Sequence, residues 1–254
     1  ANHAMTILDN TNVGIGTQTP SSKLTVDSGT TNTAYSPTSF NTASQIKINV
    51  ASTQNNYAGI QFTHAGNTEG FIGLVRTSTT VSDADFVIQS YTTSVGYTEK
   101  LRIDKAGTVT MPYQPAFTVM GSGSWVAMSS ATTVLLTGWS TVTQRGGANF
   151  VSSTGKFTAP VAGWYMFTFQ SYTRVTNPST GSHIYVRIYK NGTGFGSTGN
   201  IQHYGNAGDA DTGTSHSSLI QMAANDYVQA AFRAESTGCS YHGGSQNFTG
   251  YLVG

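Results

Sequence analysis

Phe157-Thr-Ala-Pro-Val-Ala-Gly-Trp-Tyr-Met-Phe-Thr-Phe-Gln-Ser-Tyr172 is the stretch whose reading decides the fold. From Trp164 onward it alternates: Tyr165, Phe167 and Phe169 point one way, and Trp164, Met166, Thr168 and Gln170 the other. A period of two with this aromatic content predicts a strand on a pleated, half-buried surface. Pro160 cannot donate to a ladder and Gly163 tolerates unusual backbone angles, so the pair reads as the turn feeding the strand. Three large rings on one face predict the central strand of a β-sandwich core. Burying each stabilises the fold by roughly 2–3 kcal/mol before chain entropy is charged.

Outward from this strand, alternation predicts further strands over 116–120, 133–139, 183–190, 217–223, 227–234 and 247–253. Asn191-Gly192 is a turn signal, and the intervening loops are rich in Gly, Ser and Thr. Regular short strands with such punctuation predict a sandwich or jelly roll. Towards the amino terminus, Gln45-Ile-Lys-Ile-Asn-Val50 and Gly59-Ile-Gln-Phe-Thr63 alternate cleanly. Phe71-Ile-Gly-Leu-Val75 and Phe86-Val-Ile-Gln-Ser-Tyr91 are denser apolar runs, expected as strands covered on both faces. Lys100-Leu-Arg-Ile-Asp104, Gly107 and Thr108-Val-Thr-Met111 read as a hairpin. Met111-Pro-Tyr-Gln-Pro115 is the expected boundary, because two prolines interrupt sheet pairing. The domain reading is therefore 1–44 neck and linker, 45–112 a shaft-like β module, and 113–254 a jelly-roll head.

The totals exclude several classes of function. Only 9% of the 254 residues are charged, with 12 Lys+Arg against 11 Asp+Glu. No basic excess exists to neutralise phosphates, so nucleic-acid binding is not expected. Hydrophobic residues at 37% and aromatic residues at 11% argue for packed structure rather than disorder. A single cysteine, Cys239, rules out an internal disulfide and is expected as a small unpaired residue. No apolar run approaches the ~20 residues that span a bilayer, and no signal peptide is expected. No membrane insertion is expected.

Two resemblances sharpen the reading. Val13-Gly-Ile-Gly-Thr-Gln-Thr-Pro20 followed by Lys23-Leu24, together with Leu101-Arg-Ile-Asp104 and Gly107, resembles motifs of bacteriophage tail fibres and related surface fibres. In those fibres the first motif lies in a trimeric shaft or neck. Phe157-Thr-Ala-Pro160 through Phe167, Val186-Arg-Ile-Tyr-Lys-Asn-Gly192, Ala224-Asn-Asp-Tyr-Val228 and Phe248-Thr-Gly-Tyr-Leu252 resemble, in order, the signatures of the C1q/TNF superfamily. Asn225 stands where that family usually has glycine, a mild departure since asparagine tolerates positive φ. The resemblance implies an all-β, homotrimeric protein: a C1q/TNF-like jelly-roll head preceded by a small fibre-type module. Tyr185 and Tyr189, facing away from Ile184, Val186 and Ile188, would suit a subunit interface.

The implied function is that of a virion tail fibre, extracellular and non-enzymatic, attaching to a host cell-surface receptor. A glycan is the favoured receptor chemistry, and other virion tail proteins the further partners. The alternatives are a bacterial surface or spore-coat adhesin with the same head, and a polysaccharide depolymerase acting at a subunit interface. No paired carboxylates of glycosidase type stand out, and Gly192–Gly199 lacks the ending of a phosphate loop.

Two expected loops, 193–216 and 235–246, carry the candidate ligand-binding residues His203, Tyr204, Asp209, Asp211, Tyr241 and His242. Rings that stack and neutral groups that hydrogen-bond suit carbohydrate recognition. Asp209 and Asp211, in a glycine-rich stretch, could also hold calcium, whereas His203, His216 and His242 lack metal-ligand spacing. Of the three tryptophans, Trp164 is expected packed in its strand, and core placement is preferred for Trp125 and Trp139.

Overall fold

The computed structural model describes residues 5–9, 11–15, 17–26, 48, 53–79, 83–176, 182–203 and 208–253, with the backbone alone for 196–203. Every described regular element except one 3-10 turn at Gly243–Ser245 is a strand. The chain divides into two compact units, Ala1–Thr110 and Met111–Gly254.

In the first unit, β1 (Thr6–Ile7), β2 (Val13–Ile15) and β3 (Leu24–Val26) form a small sheet in which β2 and β3 run parallel. Five further strands make an antiparallel meander: β4 (Tyr57–His64), β5 (Asn67–Arg76), β6 (Ala84–Thr92), β7 (Gly96–Ile103) and β8 (Val109–Thr110). Its register gives the two faces different chemistry. Ile60 opposes Ile72, which opposes Ile88 and then Leu101; Ala58, Leu74, Phe86 and Ile103 form the neighbouring row on the same side. The other side carries Tyr57, Gln61, Phe71, Val75, Asp85, Val87, Gln89, Glu99 and Arg102. The expectation that 71–75 and 86–91 are covered on both faces is not met. No second layer covers this sheet among the described residues of the unit, and Val87 is its one buried hydrophobic there. The apolar density of these runs supplies two adjoining hydrophobic rows on one face, and those rows stay partly exposed. The predicted strand at 45–50 lies outside the described residues, Ile48 excepted.

The second unit is a two-sheet sandwich with thirteen strands among its described residues: β9 (Ala116–Met120), β10 (Trp125–Ala127), β11 (Thr133–Leu135), β12 (Thr141–Arg145), β13 (Phe150–Val151), β14 (Lys156–Thr158), β15 (Gly163–Val175), β16 (Ser182–Lys190), β17 (Thr193–His203), β18 (Ala210–Met222), β19 (Tyr227–Ala234), β20 (Cys239–His242) and β21 (Asn247–Leu252). One sheet runs β10-β20-β15-β21-β9-β12, with β18 also paired to β15. The other runs β13-β14-β19-β16-β17, with β11 also on β19. As expected, β15 organises the first sheet. Its whole length pairs with β18, and its opposite edge pairs with β21 and then β20.

Tyr165, Phe167 and Phe169 are each 0% exposed. They meet Phe157, Phe117, Phe248 and Phe232 in a contiguous ring cluster. Ile184, Val186 and Ile188 close the core from β16, as the alternation of that strand predicts. The glycine of Phe248-Thr-Gly250 has a packing cause. A Cβ there would lie 2.5 Å from Phe167 Cδ1 and 2.6 Å from Phe117 Cε1, so its absence lets two core rings cross β21.

Four expectations about this unit need correction. The strand predicted over 133–139 ends at Leu135. Gly138, at φ 70°, then turns the chain so that Trp139 enters the core as expected. The strand predicted over 217–223 is only the end of β18, and most of the expected loop 193–216 is β17 and the start of β18. The expected loop 235–246 likewise contains β20. The start of β18 was hidden because Asp, Gly and Ser alternate there with Thr, so no apolar periodicity marks a buried face. Trp164, finally, lies on the outer side of β15 and is exposed rather than packed.

Candidate functional site

The outer face of β15 ends in a cluster that three neighbouring strands build. The register opposes Trp125 of β10 to His242 of β20, and their rings meet edge-to-face at 5.2 Å. Strand β20 joins β15 over Thr173–Val175, which brings Trp125 within 5.5 Å of the Tyr172 ring. Across the other edge of β15, Arg174 opposes Asp211 of β18. Its Nε and Nη2 donate to the two Asp211 oxygens at 2.5 and 2.8 Å, and Nη1 lies 3.4 Å from Asp209 Oδ2. The Tyr172 hydroxyl donates to Asp211 Oδ2 at 3.1 Å. The guanidinium also sits 4.3 Å over the Trp125 ring, a cation–π contact. His242 Nδ1 is hydrogen-bonded to Ser245 Oγ at 3.0 Å.

The electrostatics follow from this geometry. The hydrogen bond from Arg174 to Asp211 holds the guanidinium pKa above its ordinary value, and the bond to Asp211 raises that of Tyr172. One cation faces two carboxylates, and rings surround it, so the cluster offers planar apolar surface beside fixed polar groups.

Of the six candidate residues, the structure brings Asp209, Asp211 and His242 together. Tyr241 faces the opposite way, partly buried and packed against the core rather than beside these three. It stacks on Phe232 at 5.0 Å and 24°, and burial pushes its pKa up. Its inner edge lines a cavity of about 70 Å³ with Val126, Trp139 and Gln246. His203 ends β17, where its backbone pairs with Ser182 in the other sheet, and Tyr204 lies outside the described residues. Calcium does not fit at Asp209 and Asp211, because the Arg174 guanidinium already takes the place of a cation between them. Among the described residues, no group of three or more His, Cys, Asp or Glu could hold a metal.

Sequence reasoning missed Trp125, Tyr172 and Arg174. Trp125 was expected in the core but stands partly exposed on the outer face. The signal for the other two was present. The outward series Trp164, Met166, Thr168, Gln170 continues by the same period to Tyr172 and Arg174. The same alternation in Cys239-Ser-Tyr-His separates Tyr241 from His242.

The motifs that resembled a known family also meet in space. Asn191 of the turn after β16 donates through Nδ2 to Asp226 Oδ1 at 2.7 Å and accepts from the Tyr227 amide at 2.9 Å. Lys190 pairs with Asp226 at 3.0 Å, and Asn225 takes φ 72°, the conformation expected of it. The model of the C1q domain matches residues 116–253, more than half of the chain.

The chain belongs to the C1q-domain family.

Among solved structures, the globular domain of zebrafish complement 1qA is similar to it, at 17% identity and a TM-score of 0.40, covering 56% of this chain and 98% of that one. No curated protein matches the chain. As a C1q-domain protein it has a binding or recognition role, in a family that is typically non-catalytic. The Trp125 cluster lies on the outer surface of this C1q domain, around the end of the strand that carries its central signature.

Proposed function

We propose that this C1q-domain protein is the receptor-binding part of a virion tail fibre. It acts outside the cell as a non-enzymatic homotrimer and attaches to a host-surface glycan through the Trp125 cluster. The observation that carries the reading is the grouping of Trp125, Tyr172 and His242 around Arg174, Asp209 and Asp211. Rings beside hydrogen-bonding groups of both signs suit a polyhydroxylated ligand, which stacks its apolar face and shares its hydroxyls. The fibre-type motifs before the C1q domain favour a virion over a bacterial coat, with other tail proteins as neighbours.

Exposed apolar surface supports the trimer. At the other end of β15, Trp164 is 45% exposed, and Leu219 and Tyr251, each 51% exposed, flank Met166 in register. Such a patch is larger than an isolated surface residue and suits a subunit interface. The outer tyrosines of β16 are already engaged: Arg187 sits 4.7 Å from the Tyr185 ring, and Tyr189 contacts Thr133. The interface is therefore assigned to the β15–β18–β21 face. Three copies would multiply weak single sites by avidity.

The test is attachment of the purified protein to candidate host cells before and after removal of surface glycans. Wild type should bind and lose binding on deglycosylation, and Trp125→Ala should bind at least about tenfold more weakly at unchanged melting temperature. Equal attachment by the variant would sink the assignment of the site. Release of oligosaccharides from host capsule would replace the attachment reading with the depolymerase one.

A further inference from the structure

The first unit carries a cavity on the mixed face of its five-stranded sheet. It measures about 430 Å³, within the range of small-ligand pockets. Its walls are aromatic rings laid over the sheet. Tyr57, 63% exposed, packs edge-on against Phe71 at 5.3 Å, and Tyr97, 54% exposed, reaches from β7 to donate its hydroxyl to the Thr68 carbonyl of β5 at 3.3 Å. Its floor is Val87, 2% exposed, beside Val75. Amides of Gln61 and Gln89 and the hydroxyl of Thr68 line it between the rings.

The sequence makes specific provision for this shape. Gly59 and Gly73 oppose each other in register on this face. A Cβ at Gly59 would lie 2.6 Å from Phe71 Cε2, and one at Gly73 would lie 2.7 Å from Phe71 Cζ. Two missing side chains thus allow the Phe71 ring to lie over the strands as a wall, instead of projecting into the trough.

The chemistry of the lining selects the ligand. Glu99 is the one charged residue in the wall, and Arg102 holds it while also bonding Asp85 at 2.5 Å. No cation lines the wall to receive an anionic ligand, since the guanidinium of Arg102 is shared between the two carboxylates. A peptide added as a strand would pair along a sheet edge, at β4 or at the part of β7 that β8 does not reach, whereas the trough lies on the face of the sheet. What remains is ring faces at the rim with amides and a hydroxyl between them. We propose that this trough is a second binding site, for an uncharged saccharide of one or two pyranose rings. It is independent of the site assigned to the C1q domain.

All three tryptophans lie in the C1q domain, so the two sites can be told apart spectroscopically. The full chain would be titrated by calorimetry with methyl glycosides and tetrasaccharides of glucose, galactose, mannose and N-acetylglucosamine, and with a sialylated tetrasaccharide. Tryptophan fluorescence would be followed in parallel. At least one neutral sugar should bind with a Kd of about 1 mM or tighter while leaving tryptophan emission unchanged. Tyr57→Ala and Tyr97→Ala should each weaken it about tenfold or more. Tyr97→Phe, which keeps the ring, should retain binding and shows that loss in the alanine variant is not unfolding. The proposal is overturned if no neutral sugar binds at about 10 mM. It is equally overturned if binding perturbs tryptophan emission and ignores both tyrosine substitutions, or if the sialylated sugar binds best. Loss of cell attachment in Trp125→Ala bears only on the C1q-domain site.

Discussion

Phe167 shows what a single side chain decides in this molecule. Its ring lies within 6.3 Å of four others, those of Phe117, Phe157, Tyr165 and Phe248, and Gly250 leaves the gap through which it reaches Phe117. Removing it opens a cavity that rings held by both sheets cannot close. Phe167→Ala should cost about 3–5 kcal/mol in denaturant unfolding. A cost below about 1 kcal/mol would mean that the core is centred elsewhere. Asp226 decides a different property. Hydrogen bonds from Asn191 and Lys190 hold its carboxyl at about 2, below the ordinary 3.8. A carboxylate depressed by folding adds stability that is complete above its unfolded pKa and is lost as pH falls through the folded one. The stability difference between wild type and Asp226→Asn should therefore shrink between about pH 4 and pH 2. A difference that stays constant down to pH 2 would show that the turn does not depend on the charge.

Among the elements, legibility followed chemistry. Strand β15 was readable end to end because its inward positions are rings and its outward ones are not. Strand β16 was readable for the same reason, and β19 as a dense apolar run. Strands β17 and the first half of β18 were not, since Thr, Gly, Ser and Asn satisfy a ladder without showing which face is buried. The candidate site divided along the same line. Asp209, Asp211 and His242 could be picked as exposed polar residues, but their shared neighbours Trp125 and Arg174 come from strands far apart in sequence. Only the pairing of β10 with β20, and of β15 with β18, brings them together. The trough was illegible for a further reason. The pattern of 71–75 and 86–91 reports how much apolar surface exists, and does not report that a second layer is lacking.

At the scale of the whole molecule, two apolar surfaces remain to be covered. One is the Trp164–Leu219–Tyr251 face of the C1q domain, and the other is the Ile60–Leu74 face of the five-stranded sheet. Each unit thus has a reason to associate with further copies. Light scattering of the intact chain should give a mass near three times 26.8 kDa. Leu219→Asp, which places a charge on that exposed apolar face, should lower it. A monomeric wild type would remove the avidity argument and leave the Trp125 cluster to act alone.

Strand β21 sits between β15 and β9, in the interior of its sheet, although it is the last strand of the C1q domain to be made. Until residues 247–252 have left the ribosome, the growing sheet lacks one of its inner members and presents two unpaired edges. The domain must therefore be kept waiting, unfolded or edge-open, through almost the whole of its synthesis. Nascent copies on one message would meet in that state, when an open edge recognises a neighbour as readily as its own missing strand. The rate at which residues 247–252 are added then bears on how long that open state lasts.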